Sequence, residues 1–308
     1  MYSTVMMCNS NLTPESKGII YMLLASALFS AMGYYVKVLG QTLGTGEIVF
    51  FRNLVGLIII VPSLLFYPGE GKGGKPFMLA MRGLLGFLAL FLYFYSVSLL
   101  PLGTAAALSK IDPIFTAIFA WFFLKEKQNA LLWVGLIAGF FGVLLLLRPE
   151  VGGLNLGSIS ALLSGILAAS AYTTIRNLRG VYSPRAIVAS FATAGVVGPP
   201  LVYVLAFYTP LGTEKLQELF KGLPTSNYEW YCVIMIGLLA TISQYFITKS
   251  YSLAKASVAA SVSYSGLVFA TIAGIIAGDK APDLMGVCGI IFIALSGMTA
   301  HMSQKRRN

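Results

Sequence analysis

Lys110 and Asp112 stand two residues apart in a stretch, 104–124, that carries no other charged residue. A charge at the centre of a membrane span costs at least about 2.5 kcal/mol on insertion scales, so such residues earn their place by function or by pairing with another helix. Two residues correspond to about 200° around a helix, so these two side chains do not face each other. Each needs water or a partner elsewhere. As substrate ligands, Lys110 would attract a carboxylate or phosphate, and Asp112 an amine or a coupling proton. As structural residues, both would be locked in interhelical ion pairs. Pro113 follows directly. Its missing N–H frees the carbonyl one turn back, at Ser109, and makes the site a hinge or a static kink.

Further candidates lie in the neighbouring stretches. Glu47 and Arg52 begin the apolar run 48–67 and are five residues apart, a poor intrahelical pair. They are expected as ion-pair or gating residues, with Arg52 bound to another helix or to lipid headgroups. Lys37, at the end of the first run, suits a snorkelling anchor. Tyr93, Tyr95, Tyr172, Tyr245 and Tyr264 present a ring and a hydroxyl, and Gln244 an uncharged polar group, inside apolar runs. Of these, Tyr93, Tyr95, Tyr172, Tyr264 and Gln244 join Lys110 and Asp112 as expected substrate-binding residues. Nothing resembles a catalytic or metal-binding set. Cys8, Cys232 and Cys288 are far apart, and the single histidine, His301, is near the C-terminus. Neither a CxxC site nor a His/Cys cluster can be assembled. No cofactor and no metal are expected.

The elements that must position these residues follow from composition. Of 308 residues, 57% are hydrophobic and 10% charged, and the mean hydropathy is +0.81. Soluble domains are about 25% charged, and a spanning helix needs roughly 20 apolar residues. The apolar runs are continuous, which excludes the alternating strands of a membrane barrel. Ten spans are expected, at 19–39, 48–67, 77–100, 104–124, 130–147, 158–174, 186–208, 230–250, 257–278 and 284–300. Residues 209–229 form the longest loop, with a short surface helix in TEKLQELFKG.

The net charge of +10 belongs to the loops, so it reads as topology and not as a nucleic-acid face. With ten spans both termini share a side. Of the 21 Lys and Arg residues, 14, counting Arg82, fall on that side, four on the other, and Lys37, Arg52 and Lys110 within or beside spans. Both termini are therefore expected in the cytoplasm, and the protein in a bacterial plasma (inner) membrane.

The chain is also doubled. Gly18, Ile20, Leu23, Leu24 and Leu28 recur as Gly157, Ile159, Leu162, Leu163 and Leu167, at an offset of 139. Further on the offset is 154. Ser98, Leu99, Ala105, Ala106, Ser109, Phe115 and Ile118 recur as Ser252, Leu253, Ala259, Ala260, Ser263, Phe269 and Ile272. On this offset Tyr264 is the counterpart of Lys110. Five spans per half means that the second half enters from the opposite face, an inverted repeat of the kind found in secondary transporters. The expected organisation is a tail, 1–16, two five-helix repeats, 17–149 and 150–300, and a basic tail, 301–308.

The segments GEIVFFRNLVGL (46–57), RGLLGFLALFLYFYSVSLLPLGTAAALSKIDPIFTAIFAWFFLKEK (82–127) and SAYTTIRNLRGVYSP (170–184) resemble the EamA branch of the drug/metabolite transporter superfamily. The resemblance covers nearly the whole chain. It implies an all-α membrane protein of ten helices around a central cavity, in a family whose characterised members mostly export small metabolites or amino acids. Two features depart from the pattern. Lys110 and Asp112 are charged where the family is usually neutral, and the second-half counterpart of Glu126 is Lys280, beside Asp279.

The expected function is secondary active transport of a small polar metabolite, such as an amino acid or a nucleotide-like compound, by export or exchange. A P-loop is absent, which argues against an ATP-driven pump. A membrane-embedded enzyme on lipid-borne substrates and a channel are the alternatives. Expected partners are the substrate, a coupling proton and the bilayer, with no nucleic acid. Gly135, Gly139, Gly142, Gly274 and Gly278, and the face Ser257, Ser261 and Ser265, suit close helix packing within one chain or between two, so the chain is expected as a monomer or homodimer.

Overall fold

A computed structural model describes residues 13–66, 71, 73–149, 155–209, 214–276 and 280–305. The first twelve residues, with Cys8, and Lys72, Gly278, Asp279, Arg306 and Arg307 lie outside them. Every regular element among the described residues is a helix: α1 (Pro14–Leu39), α2 (Thr45–Phe66), α3 (Pro76–Leu99), α4 (Leu102–Ser109), α5 (Asp112–Phe123), α6 (Ala130–Leu147), α7 (Leu156–Asn177), α8 (Pro184–Tyr208), α9 (Glu214–Gln217), α10 (Asn227–Leu253), α11 (Ala256–Ser263), α12 (Ser265–Ile276) and α13 (Leu284–Lys305).

The helix ends carry the signals that start helices. Thr13, Asn129, Asn155, Ser183 and Ser226 cap α1, α6, α7, α8 and α10 through side-chain oxygens, and the caps of α7 and α10 are reciprocal boxes with Ser158 and Glu229. These caps satisfy backbone N–H groups that the helices leave without an internal partner. Among the described residues nine helical stretches are long and apolar enough to cross a membrane, and Leu284–Ala300 is a shorter apolar one. Side chains such as Leu65, Ile137 and Leu201 point outward, as a lipid-facing surface requires. The chain is an integral membrane protein.

The helix pairings reproduce the repeat. Exchanging α1 with α7, α2 with α8, α3 with α10, α4 with α11, α5 with α12 and α6 with α13 turns most of the principal pairings of one half into those of the other; α5 with α11, and α8 with α10, pack without an equally extensive counterpart. Thus α3 packs along α7 as α10 packs along α1. Likewise α5 and α4 meet α7 as α12 and α11 meet α1, and α3 meets α8 as α10 meets α2. The pairs α2–α8 and α6–α13 map onto themselves. Glycine makes the second of these close. A Cβ on Gly142 would lie 2.6 Å from the Gly289 carbonyl oxygen, and one on Gly289 equally near that of Gly142. At the C-terminal end of α6 the α6–α13 pair is tied by an ion pair between Arg148 and Asp283. The hydrogen bond from Arg148, then the Gly286 N–H, holds the exposed Asp283 carboxyl below the usual carboxylate range.

Two spans differ from expectation. The fourth is broken at Lys110–Ile111 into α4 and α5, and the ninth at Tyr264 into α11 and α12. The breaks sit at positions 154 apart. In the first half Pro113 prevents a helix from running through Ser109, because its ring would meet that carbonyl. The second half has no proline there, so another feature is shared. Ser109 Oγ donates to the Ala106 carbonyl at 2.9 Å, and Ser263 Oγ to the Ala260 carbonyl at 2.7 Å. Such a bond accompanies both breaks but does not by itself make one, because Ser164 donates in the same way to the Ala161 carbonyl within the unbroken α7. The Ser109 carbonyl itself packs against Gly165 of α7, where a Cβ would not fit.

The short helix in the 209–229 loop is only α9. Its downstream turn is docked: Leu219 is buried and its carbonyl accepts the Gly46 N–H at 2.8 Å.

Candidate substrate cavity

The break in the fourth span faces a cavity of about 790 Å3. A volume of this size suits a small-molecule site. Helices from both halves line it. Lys37, Thr45, Val97 and Gly274 mark the end of the cavity near the C-terminus of α1. Arg52, Arg82, Lys110 and Asp112 supply charge to its wall, and Tyr93, Tyr172 and Gln244 supply further polar groups. Of the expected ligands, then, Lys110, Asp112, Tyr93, Tyr172 and Gln244 are brought together. Asp112, at the first turn of α5, is 6% exposed. Among the described residues no ion pair reaches it. Tyr172 stacks on Tyr251 of α10, with centroids 4.8 Å apart and planes within 10°.

Other expected residues are elsewhere. Tyr264 does not line this cavity; its ring is fully buried in the core against Gly139 and Ser296, with no hydrogen-bond partner for its hydroxyl. Tyr95 is likewise not among the lining residues. Glu47 and Arg52 do not pair: a Glu47 oxygen accepts the Gly222 N–H at 2.9 Å and so fastens the long loop to α2. Pro113 is in the first turn of α5, just below the break.

Arg82 needs correction. Counted with the loop cations, it is 1% exposed in the second turn of α3 and lines the cavity. Arg82 and Arg52 share an aromatic neighbour. Their guanidinium carbons lie 5.2 and 5.8 Å from the Phe191 ring centroid, and Arg52 is also 5.7 Å from that of Phe29. Such contacts hold a cation in a dry site without an acid. The signal for Arg82 was its place inside the expected span 77–100, which outweighs its sign.

The opposite end of the bundle holds a different cluster. Arg176 Nε donates to Glu126 Oε1 at 2.9 Å, and its Nη1 to the Ser252 carbonyl at 3.1 Å. The Ala256 N–H, opening α11, donates to Glu126 Oε2 at 3.1 Å, and Ser257 Oγ to Gln128 Oε1 at 2.7 Å. One ion pair thus joins the ends of α5 and α7 to the turn between α10 and α11, and none of the six residues of this cluster lines the cavity. The repeat places Lys37 and Lys280 at the equivalent positions of the other end, two bases where this end has a base and an acid.

Comparison with known proteins agrees with this architecture. The model of the EamA-like transporter family matches residues 16–148. The pseudopaline exporter CntI of Pseudomonas aeruginosa is 30% identical, over 94% of this chain and 97% of that protein. The S-adenosylmethionine uptake transporter of Rickettsia prowazekii is 26% identical over 97% of each. A solved crystal structure superposes with a TM-score of 0.77 at 18% identity, over 95% of this chain and 99% of that one, which is a likeness of fold.

Proposed function

We propose that this chain, which belongs to the EamA-like transporter family, carries a small polar metabolite by alternating access, as an exporter or exchanger. That it is a membrane transporter and not an enzyme follows from the family and its named relatives. The finer reading rests chiefly on one observation: two spans are broken at repeat-equivalent positions, and the first break borders a largely apolar cavity that carries a few charged and polar side chains. Two inverted copies give one fold two near-equivalent states, open to opposite faces. The cavity would be the substrate site, with Lys110, Asp112, Tyr93, Tyr172 and Gln244 as ligands and the break before Pro113 as a hinge.

The Glu126–Arg176 cluster would be the closed gate, and the Lys37 end the open one. With Arg82 moved into the membrane, the charge split is still 13 to four, which favours cytoplasmic termini, a closed cytoplasmic gate and a bacterial inner membrane. Relatives named for export and for uptake suit a carrier whose direction is set by gradients. Proteoliposomes containing this protein alone and loaded with a metabolite mixture should exchange a labelled solute saturably without ATP. Ion conductance at channel rates with no counter-exchange would overturn the reading in favour of a channel.

A further inference from the structure

Arg52 and Arg82 are the two most deeply buried cations of the cavity, 7% and 1% exposed, and they reach it from different helices. Among the described residues neither donates to a carboxylate, and Arg82 Nε has no acceptor at all. Their visible support is aromatic: Phe191 serves both, and Phe29 serves Arg52. A guanidinium stacked on a ring uses its face and keeps its in-plane N–H donors free. Those donors match two oxygens of a carboxylate or phosphate, side by side. Gly86, one turn beyond Arg82, leaves room for Nη1, because a Cβ there would overlap it. Among the described residues the lining carries Lys37, Arg52, Arg82 and Lys110 against Asp112 alone, four positive charges to one negative.

We propose that Arg52 and Arg82, arrayed about Phe191, form an oxyanion subsite, so that the substrate bears a carboxylate or phosphate and is anionic overall. Asp112 then selects for a donor group elsewhere on the same molecule. The inference rests on the transporter reading above and adds the charge class of the solute. It also gives the ring of Phe191 a purpose: it holds two like charges in place while the cavity is empty, where a carboxylate would compete with the substrate.

The test uses the purified full-length chain. Thermal melts are recorded with succinate, inorganic phosphate, dimethyl succinate and putrescine at matched ionic strength. Succinate or phosphate should raise Tm saturably, and which of them does so separates the two oxyanions; dimethyl succinate and putrescine should not. Arg82→Gln and Arg52→Gln should raise the half-saturating anion concentration at least tenfold, and Arg82→Lys should restore it only in part, since the planar fork is lost. Counter-exchange of the same solutes in proteoliposomes separates the two levels of the argument. Exchange of putrescine or the diester with no competition by either anion would overturn the subsite and leave the transporter intact. Absence of exchange for solutes of every charge would overturn both.

Discussion

Asp112→Asn should reduce exchange at least tenfold while leaving the melting temperature unchanged or slightly higher. The carboxylate is 6% exposed and joins no ion pair among the described residues. A buried charge in this position is costly to the fold. An amide of the same shape removes that cost, and truncating a structural pair would do the opposite, at about 3–5 kcal/mol. The two roles therefore give opposite signs of stability change. Lys110→Met should also impair exchange, by a smaller factor, because Lys110 is only half-buried at the end of α4 and keeps access to water. Transport rate per folded molecule, measured beside Tm for each variant, decides the matter. A lower Tm with unchanged exchange would return both residues to a structural role.

Glu126→Ala should destabilise the closed end and expose it. Glu126 takes two donors, Arg176 Nε and the Ala256 N–H, in a largely buried site. Removing it strands the Arg176 charge against a single carbonyl, a loss of about 3–5 kcal/mol for a buried pair. The loss falls on the conformation that makes the contact, so the equilibrium shifts toward the one that does not, tenfold for each 1.4 kcal/mol or so. The double variant Glu126→Ala/Arg176→Ala should recover part of the Tm lost by the single one, because no charge is then stranded. Equal Tm for all three proteins would remove the pair from the gate.

Much of this architecture is legible in the sequence. Continuous apolar runs with charged ends define the spans, and the two offsets define the halves. The breaks were less visible. Pro113 announces one, but the second half has no proline, and the serines at 109 and 263 accompany both breaks without marking them, since Ser164 makes the same bond inside an unbroken helix. Tyr264 shows the limit of the repeat: equivalence along the chain does not say which way a side chain turns. Gly139 of α6 opens a slot in the core, and Tyr264 fills it. Arg82 shows the limit of charge counting, since the same residue type marks a loop when solvated and a site when buried against Phe191. The Glu126–Arg176 pair spans 50 residues, and its partners share no local pattern.

A carrier of this kind opens one cavity to either face and never to both. Single cysteines at Val97, by the open end, and at Ser252, by the closed one, report each mouth in a chain whose native Cys8, Cys232 and Cys288 are replaced. The rate of modification by a membrane-impermeant thiol reagent is measured from each side of sealed vesicles, with Glu126 intact and with Glu126→Gln. Alternating access gives reciprocal change: Val97→Cys reacts fast and Ser252→Cys slowly when Glu126 is present, and the order reverses without its charge. Fast reaction at both positions in the same protein, or rates indifferent to Glu126, would contradict it.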